Sequence, residues 1–292
     1  MSRMKMSSTV ERESILDALL SKDVLSRLER IGETRAIEYQ TAQPFPHIVI
    51  DDLLPPDLLE YALREFPTPQ QLRWIKYDDT HEIKLAFPVA EKMPASIRDV
   101  LYFLNSSPVL QFLEKLTGID ALIPDPYFTG GGLHQIERGG HLGVHADFNK
   151  LEQLRLERRL NLLLYLNKDW KEEYGGHLEL WDRSMSECVK RVLPIFNRCV
   201  IFSTMDHSYH GHPLPLTCPE GRSRKSLATY YYTNGRPEEQ ESPSHSTLFK
   251  PRPGAVIKPL PRYKRVAKRI IRSLLPPIVT DTYYNLRARG KK

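Results

Sequence analysis

The second half of the chain consists of short apolar or alternating runs separated by turn residues. After Pro126, Gly, Asn, Asp and Pro divide the sequence into runs that predict strands near 131–137, 142–146, 158–167, 177–182, 188–194, 198–204, 208–212 and 223–233. Residues 161–167, NLLLYLN, are apolar enough to form a central strand. Successive strands without helices between them favour a sandwich or barrel-like fold over a sheet of βαβ units.

The first 125 residues carry the helical patterns. Residues 1–35 show a loose apolar stripe that predicts a helix packed on the body. Residues 47–50 predict a strand, and Pro55-Pro56-Asp57 begins a helix that ends by Pro67. A second helix is predicted over roughly 94–117, with Gly118 as its C-cap. We therefore expect an α+β fold that is mainly β with flanking helices.

The net charge of +6 on the 292 residues is unevenly distributed. Residues 250–292 contain 13 Lys and Arg against one acidic residue, a net +12, so residues 1–249 carry −6. Residues 262–275, RYKRVAKRIIRSLL, place apolar side chains at helical spacing opposite a basic face. This pattern predicts a basic amphipathic helix, which either docks on the acidic body or lies on an anionic membrane surface.

Cysteine usage and hydropathy bear on the compartment. The three cysteines, Cys188, Cys199 and Cys218, are too scattered for a disulfide framework, as is typical of a reducing cytosol. The N-terminus has no apolar run typical of a secretory signal, and no apolar stretch reaches the ~20 residues of a membrane span. We expect a cytoplasmic protein, either free or peripheral on the inner face of a membrane.

Two segments carry residues that can bind a metal ion. His145 and Asp147 lie two apart on a predicted strand, so both side chains point to one face. STMDHSYHGHPL at 203–214 follows an apolar strand and offers His207, His210 and His212. Two histidines and one carboxylate on a β scaffold form the facial triad of non-haem Fe(II) oxygenases, which leaves positions open for a bidentate cosubstrate and O2.

A third segment, SRKSLATYYYT at 223–233, can bind a carboxylate. Arg224 shares strand parity with Ser226 and Ala228, whose small side chains leave room for a ligand. A guanidinium is suited to bidentate pairing with a carboxylate. The opposite face, which includes Lys225, is typical of packing.

In chain order, His145-x-Asp147, LLYLNKDWKEEYGGHLELWD, His210 and Arg224-x-Ser226 resemble the Fe(II)/2-oxoglutarate dioxygenases, most closely their prolyl 4-hydroxylase branch. The resemblance covers about 130–235, and PFPHIVIDDLLPPDLL is similar to the first strand and helix of many bacterial members. It implies a double-stranded β-helix, the jelly-roll architecture shared with cupins.

The resemblance also implies roles for individual residues. His145, Asp147 and His210 match the metal ligands, with His212 as the alternative distal ligand. Arg224 matches the residue that binds the distal carboxylate of 2-oxoglutarate, with Arg222 and Lys225 as alternatives. Two further residues match cosubstrate contacts, namely Tyr165 and Gln135. Four polar residues are candidates to support the metal ligands or face substrate, namely His141, Asn149, Asn161 and His212.

The implied activity is hydroxylation of an unactivated C–H bond with release of succinate and CO2, using Fe(II), 2-oxoglutarate and O2, with ascorbate as a possible reductant. Asp147 favours hydroxylation because halogenating members carry a small residue there. The substrate classes left open are a prolyl or other peptide residue, an amino-acid-like metabolite and a glycan. The alternatives are a membrane-associated hydroxylase of a lipid-linked sugar and a non-catalytic cupin-like binding protein. Nucleic acid is disfavoured because residues 226–233 lack a second arginine.

The expected segments follow from the patterns and the resemblance together. They are an N-terminal helical extension at 1–43, a supporting region at 44–125, the catalytic β-helix core at 126–235, a Pro- and Ser-rich linker at 236–261 and the basic tail at 262–292.

Overall fold

The structure is a computed structural model that describes residues 15–254. Helical turns at 15–19 precede five α-helices, α1 Lys22–Thr34, α2 Ala36–Thr41, α3 Pro56–Arg64, α4 Ala95–Leu104 and α5 Ser107–Thr117. The strands before the predicted core are β1 His47–Asp51, β2 Ile75–Asp78, β3 Glu82–Phe87 and β4 Ile123–Pro124. Those that follow are β5 Gly132–Glu137, β6 His141–Ala146, β7 Lys150–Leu151, β8 Leu156–Tyr165, β9 Leu178–Trp181, β10 Cys188–Val192, β11 Arg198–Ser203, β12 His210–His212, β13 Ser223–Thr233 and β14 Leu248–Phe249.

The strands form one mainly antiparallel sheet that curls into a nearly closed barrel. Its main path runs β1-β11-β8-β13-β5-β3-β6-β12-β9-β10. Five strands lie between β11 and β12 along this path, yet the ring centroids of Phe202 on β11 and His210 on β12 are 4.6 Å apart. The predicted mainly β fold with flanking helices is confirmed, and the barrel is consistent with a jelly-roll core.

Side-chain alternation divides the central strands into two faces. Leu162 on β8 and Leu227 and Tyr231 on β13 belong to the large core beneath the helices. The Tyr231 hydroxyl donates to the Leu104 carbonyl at the end of α4, at 2.8 Å. Tyr165 and Ala228 alternate with these residues and point into the barrel, so the helices stiffen the outer face while the inner face is left for a site.

The helical pattern over 94–117 is two helices rather than one. α4 ends at Leu104 and α5 begins at Ser107. Pro108 has no N–H to donate to the Leu104 carbonyl, so a continuous helix would lose a hydrogen bond at this point. α5 ends at Thr117, and the next residue, Gly118, has a φ of 71° and forms the predicted C-cap.

The predicted strands of the second half are confirmed within a few residues, but one strand of the barrel was not predicted. β3 pairs with β5 through Leu85 and with β6 through Glu82 and Ile83, and so lies in the middle of the sheet. Its hairpin partner β2 pairs with it from Ile75 to Asp78. In β3 the charged residues Glu82 and Lys84 alternate with Ile83 and Leu85, but the charged residues are partly buried while Ile83 is 40% exposed, so residue polarity does not mark the buried face.

The C-terminal part of the described chain packs on the barrel. Of the predicted linker at 236–261, residues 236–254 are described, and β14 within them pairs with β6 through Leu248↔Ala146 and Phe249↔His145. The predicted tail helix at 262–275 and residues 1–14 lie outside the described residues. Among residues 15–254, no helix is long and apolar enough to cross a membrane.

Candidate metal centre and cosubstrate pocket

Adjacent strands bring two histidines and one aspartate together inside the barrel. His145 on β6 and His210 on β12 are cross-strand partners, and Asp147 follows β6 by one residue. His145 Nε2 lies 3.6 Å from Asp147 Oδ1, and His210 Nε2 lies 3.5 Å from Asp147 Oδ2. One ligand atom from each residue lies within 4.8 Å of the other two.

The hydrogen bonds of the two histidines prepare their rings for a metal ion. His145 Nδ1 lies 2.9 Å from the Gly143 carbonyl, and His210 Nδ1 lies 2.9 Å from the Ser208 carbonyl. A carbonyl only accepts, so each Nδ1 carries the proton and each Nε2 keeps its lone pair for a metal. Burial, and then the neighbouring His145 ring, lower the pKa of His210 to about 4, so this imidazole is neutral near pH 7.

Asp147 is held by two side chains of β8. Asn161 Nδ2 donates to Asp147 Oδ2 at 2.7 Å, and an Arg158 N–H group pairs with the same oxygen at 3.2 Å. Burial alone would raise the pKa of Asp147, but Arg158 and the two histidines outweigh burial and hold that pKa well below its ordinary value. Asp147 is therefore a carboxylate at neutral pH.

Arg158 is a site residue that the sequence patterns did not predict. Only 1% of it is exposed, and its guanidinium carbon lies 3.6 Å from the Tyr230 ring centroid and 4.4 Å from that of Phe148. Its Nε and one terminal N–H also donate to Asn161 Oδ1, at 3.1 and 2.7 Å. Arg158 therefore fixes both Asp147 and the amide that binds Asp147.

Arg224 lies deeper in the same barrel. Its Nε donates to the Gly176 carbonyl at 2.9 Å, and a terminal N–H donates to the Tyr165 hydroxyl at 3.1 Å. A Cβ at Gly176 would approach Arg224 Cδ to 3.0 Å, so the missing side chain at Gly176 makes room for Arg224. Burial raises the pKa of Tyr165, so it keeps its hydroxyl proton at neutral pH.

Arg224 is buried without an anion. It is 5% exposed, and no carboxylate of residues 15–254 lies within ion-pairing distance of it. Burial lowers the pKa of Arg224, whereas Asp147 together with Tyr230 and Tyr232 outweighs burial and raises the pKa of Arg158. Two of the five N–H donors of the Arg224 guanidinium are occupied by the Gly176 carbonyl and the Tyr165 hydroxyl. This arrangement fits a ligand that brings its own carboxylate.

The structure separates the alternatives to Arg224 from the pocket. Arg222 donates to the Lys168 carbonyl near the surface. Lys225 alternates with Arg224 and lies on the outer face of β13, with Nζ 2.8 Å from Ser223 Oγ. Among these three basic residues, Arg224 alone reaches Tyr165.

Gln135 requires a correction. It pairs with Lys225 in the β5–β13 register, and its Nε2 donates to Ser223 Oγ at 2.8 Å, so it belongs to the outer face. Its neighbour His134 pairs with Ser226 and lies on the inner face. We therefore exclude Gln135 from the cosubstrate pocket. The inner-face residue of this strand pair is His134, which strand parity with Arg224 could have identified.

The remaining candidates have different surroundings. Asn161 supports Asp147, as described above. Asn149 instead binds the chain at 242–245, through Nδ2 to Ser242 Oγ and through Oδ1 to the His245 amide, both at 2.9 Å. His141 is partly buried, and its Nδ1 has no partner among the described residues. His212 is 3% exposed, and it is not in the group of ligand atoms formed by His145, Asp147 and His210.

The residues present fit Fe(II) and 2-oxoglutarate. Two imidazoles and one carboxylate are the donor set of a facial-triad iron centre. The buried guanidinium of Arg224 and the Tyr165 hydroxyl supply a second anchor for a dicarboxylate on the same inner face.

Comparison with known proteins agrees with this chemistry. The sequence model of the 2OG-Fe(II) oxygenase superfamily matches residues 131–232, which include the three candidate metal ligands, Tyr165 and Arg224. Among solved structures, a prolyl hydroxylase from Trichoplax adhaerens in complex with a hypoxia inducible factor peptide fragment aligns with a TM-score of 0.53 and 18% identity. The alignment covers 74% of this chain and 95% of that one.

Two further structures align with lower scores. A Pseudomonas putida prolyl-4-hydroxylase has a TM-score of 0.46 and 16% identity, covering 70% of this chain and 99% of that one. HygX from Streptomyces hygroscopicus with nickel, 2-oxoglutarate and hygromycin B bound has a TM-score of 0.43 and 12% identity, covering 76% and 96%. Residues 131–232 therefore match the 2OG-Fe(II) oxygenase superfamily in sequence, and the described fold is similar to that of the Trichoplax adhaerens prolyl hydroxylase.

Proposed function

We propose that the protein hydroxylates an unactivated C–H bond, with His145, Asp147 and His210 holding Fe(II). Arg224 and Tyr165 bind the distal carboxylate of 2-oxoglutarate. The observation that carries the proposal is the pairing of the His-Asp-His group with a buried Arg224 that lacks an anion. Bound Fe(II), with 2-oxoglutarate and O2, supplies the oxidation and releases succinate and CO2.

The protein's own residues orient the reactants and exclude water. Asn161 and Arg158 hold Asp147 as a carboxylate in one orientation, and the Gly143 and Ser208 carbonyls fix the two imidazoles. Phe202 covers one side of His210 with ring centroids 4.6 Å apart. The chain thus provides a rigid metal site with one apolar wall.

For the substrate we propose a prolyl residue of a peptide as the first class to test. The LYLNKDW segment and the fold of the Trichoplax adhaerens enzyme, whose structure holds a peptide fragment, support this choice. An amino-acid-like metabolite and a glycan, including a lipid-linked sugar, are the next classes.

We also propose that the predicted basic helix at 262–275 places the enzyme on an anionic membrane surface. The net charge of +12 on residues 250–292, which include this helix, supports the proposal.

The direct test is succinate formation by the full chain supplied with Fe(II), 2-oxoglutarate, O2 and ascorbate, with and without prolyl peptides. His210→Ala is expected to lose metal binding and reduce turnover at least ~100-fold, because it removes one of three ligands. His207→Ala is the matched control, since His207 lies on the loop that precedes β12 and outside the ligand group. Wild-type protein that binds no metal and forms no succinate would overturn the enzymatic proposal in favour of a cupin-like binding protein.

A further inference from the structure

His212 is a buried imidazole with no hydrogen-bond partner. It is 3% exposed, and neither Nδ1 nor Nε2 contacts a donor or acceptor within residues 15–254. A neutral imidazole always carries one N–H group, and an unpaired buried donor is destabilising. A folded protein retains such a group most readily where a ligand supplies the missing acceptor.

The surroundings of His212 are cationic. The permanently charged side chains that act most strongly on its ring are Arg224 and then Lys84. Two carboxylates of the barrel are already engaged, since Glu82 pairs with Lys84 at 2.9 Å and Asp147 pairs with Arg158 at 3.2 Å. The acceptor that His212 lacks is therefore most readily supplied by an anion bound near Arg224.

The backbone fixes His212 in this position. A Cβ at Gly211 would lie 2.8 Å from the carbonyl oxygens of both Leu142 and Gly143, so glycine lets β12 pack closely on β6. The β6–β12 register shifts between His210 and His212 because β6 carries the extra residue, whereas β12 pairs regularly with β9 through His210↔Leu180 and Gly211↔Glu179. His212 lies outside the metal group, and Leu178, the next residue of β9 in this register, packs in one cluster with Tyr165.

We propose that His212 donates its ring N–H to a carboxylate of bound 2-oxoglutarate, as a third cosubstrate contact beside Arg224 and Tyr165. The inference rests on the proposed function, because it needs 2-oxoglutarate in the barrel. It makes His212 a binding residue that acts on cosubstrate affinity and not on the metal. It also separates the roles of the two histidines in the His210-Gly211-His212 segment.

The test measures metal and 2-oxoglutarate binding separately by titration calorimetry, using full-length protein and Ni(II) so that no turnover occurs. His212→Leu removes the donor at similar volume, and His212→Gln keeps an N–H donor. We expect Ni(II) affinity within about twofold of wild type for both variants. 2-Oxoglutarate affinity is expected to fall about 10- to 100-fold for His212→Leu, as for loss of one hydrogen bond to a charged acceptor, and less for His212→Gln.

The outcomes distinguish this inference from the proposed function. Wild-type 2-oxoglutarate affinity in His212→Leu would overturn the inference, as would an equal loss of Ni(II) affinity, which would assign His212 to the metal. Failure of the wild type to bind Ni(II) or 2-oxoglutarate would overturn the proposed function instead. If His212→Leu does not fold, His212→Met, which also lacks an N–H donor, takes its place, with 2-oxobutyrate as a second probe that lacks the distal carboxylate. His212→Met is expected to lose 2-oxoglutarate affinity, and its affinity for 2-oxobutyrate stays unchanged if the distal carboxylate is the acceptor. Unchanged affinity for both probes would overturn the inference.

Discussion

At the residue scale, two buried arginines lie in the same barrel with opposite electrostatic surroundings. Arg158 pairs with Asp147, which raises the pKa of its guanidinium, whereas burial lowers the pKa of Arg224. An arginine that already has its anion is part of the permanent framework. An arginine without one is available to a ligand, so Arg158 supports the candidate metal ligand Asp147, and Arg224 is the residue that we propose for recognition of the cosubstrate.

Replacing Arg158 is predicted to weaken metal binding although it is not a ligand. Arg158→Met leaves Asp147 with only the Asn161 amide and removes the cation between the rings of Phe148 and Tyr230. Loss of a partner that orients a metal ligand typically reduces affinity about 10- to 100-fold. Calorimetric titration of the metal-free protein with Ni(II) measures this change.

The adjacent residue provides the control for Arg158→Met. Arg159 contacts Thr233 and Gln240, away from Asp147, so Arg159→Met should leave Ni(II) affinity within about twofold of wild type. Equal affinity in the two variants would contradict the role given to Arg158.

The same two arginines show what strand patterns can and cannot predict. His145, Asp147, His210 and Arg224 could be identified as candidate site residues because each lies on a predicted strand or directly after one. Arg158 was not, because β8 contains an irregularity in which Tyr231 pairs with Leu160 but Tyr232 pairs with Arg158. The extra residue turns Arg158 to the inner face beside Asn161. Simple alternation would place it on the helix-covered face with Leu160 and Leu162.

At the element scale, residues 242–250 form a strap across the end of β6 that precedes Asp147. Phe249 pairs with His145 in register, its ring centroid lies 5.4 Å from that of His145, and it stacks on His81 at 4.5 Å. The strap is held by Asn149 and by His245 Nε2, which lies 2.9 Å from Asp206 Oδ1. The segment predicted as a linker therefore covers one side of a metal ligand.

Asn149 is predicted to control how often the strap opens. Asn149→Ala removes hydrogen bonds to Ser242 Oγ, the Pro243 carbonyl and the His245 amide, all at 2.9 Å. Each bond contributes roughly 0.5–1.5 kcal/mol, so the amide of Lys250, which donates to the Val144 carbonyl, should exchange with deuterium about 10- to 100-fold faster.

Ser244→Ala serves as the control for the strap, since the Ser244 hydroxyl contacts only Glu152 at the surface. Its exchange should match that of the wild type. Protection of Lys250 that is unchanged in Asn149→Ala would show that the pairing of β14 with β6 holds the strap without Asn149.

Helices and strands could be predicted where apolar side chains recur with the spacing of the buried face. The runs after Pro126 fold as strands because their apolar faces are buried by helices or by the barrel interior. β3 and the strap were not predicted as strands because each pairs with strands distant in the sequence and carries no clear local pattern. In β3 the charged side chains of Glu82 and Lys84 are largely buried and pair with each other, so residue polarity does not mark the exposed face of this strand.

At the scale of the whole molecule, the charge is divided between an acidic body and a basic C-terminal segment. Residues 1–249 carry a net −6 and residues 250–292 a net +12. The candidate metal centre belongs entirely to the body, and its charges are balanced locally, as the pairing of Asp147 with Arg158 shows. The tail charge is therefore free to act on placement without altering the chemistry.

Removal of residues 255–292 is predicted to abolish binding to anionic vesicles. The cut is made after Gly254 because β14 and Lys250, which bind β6, must remain. Each basic residue near an anionic surface contributes about 1 kcal/mol, so the full chain should co-sediment with phosphatidylserine-containing vesicles at low salt and be released at high salt. Pure phosphatidylcholine vesicles and retained 2-oxoglutarate binding by the 1–254 protein are the controls. Equal sedimentation of both proteins would contradict the membrane proposal and favour a tail that docks on the acidic body.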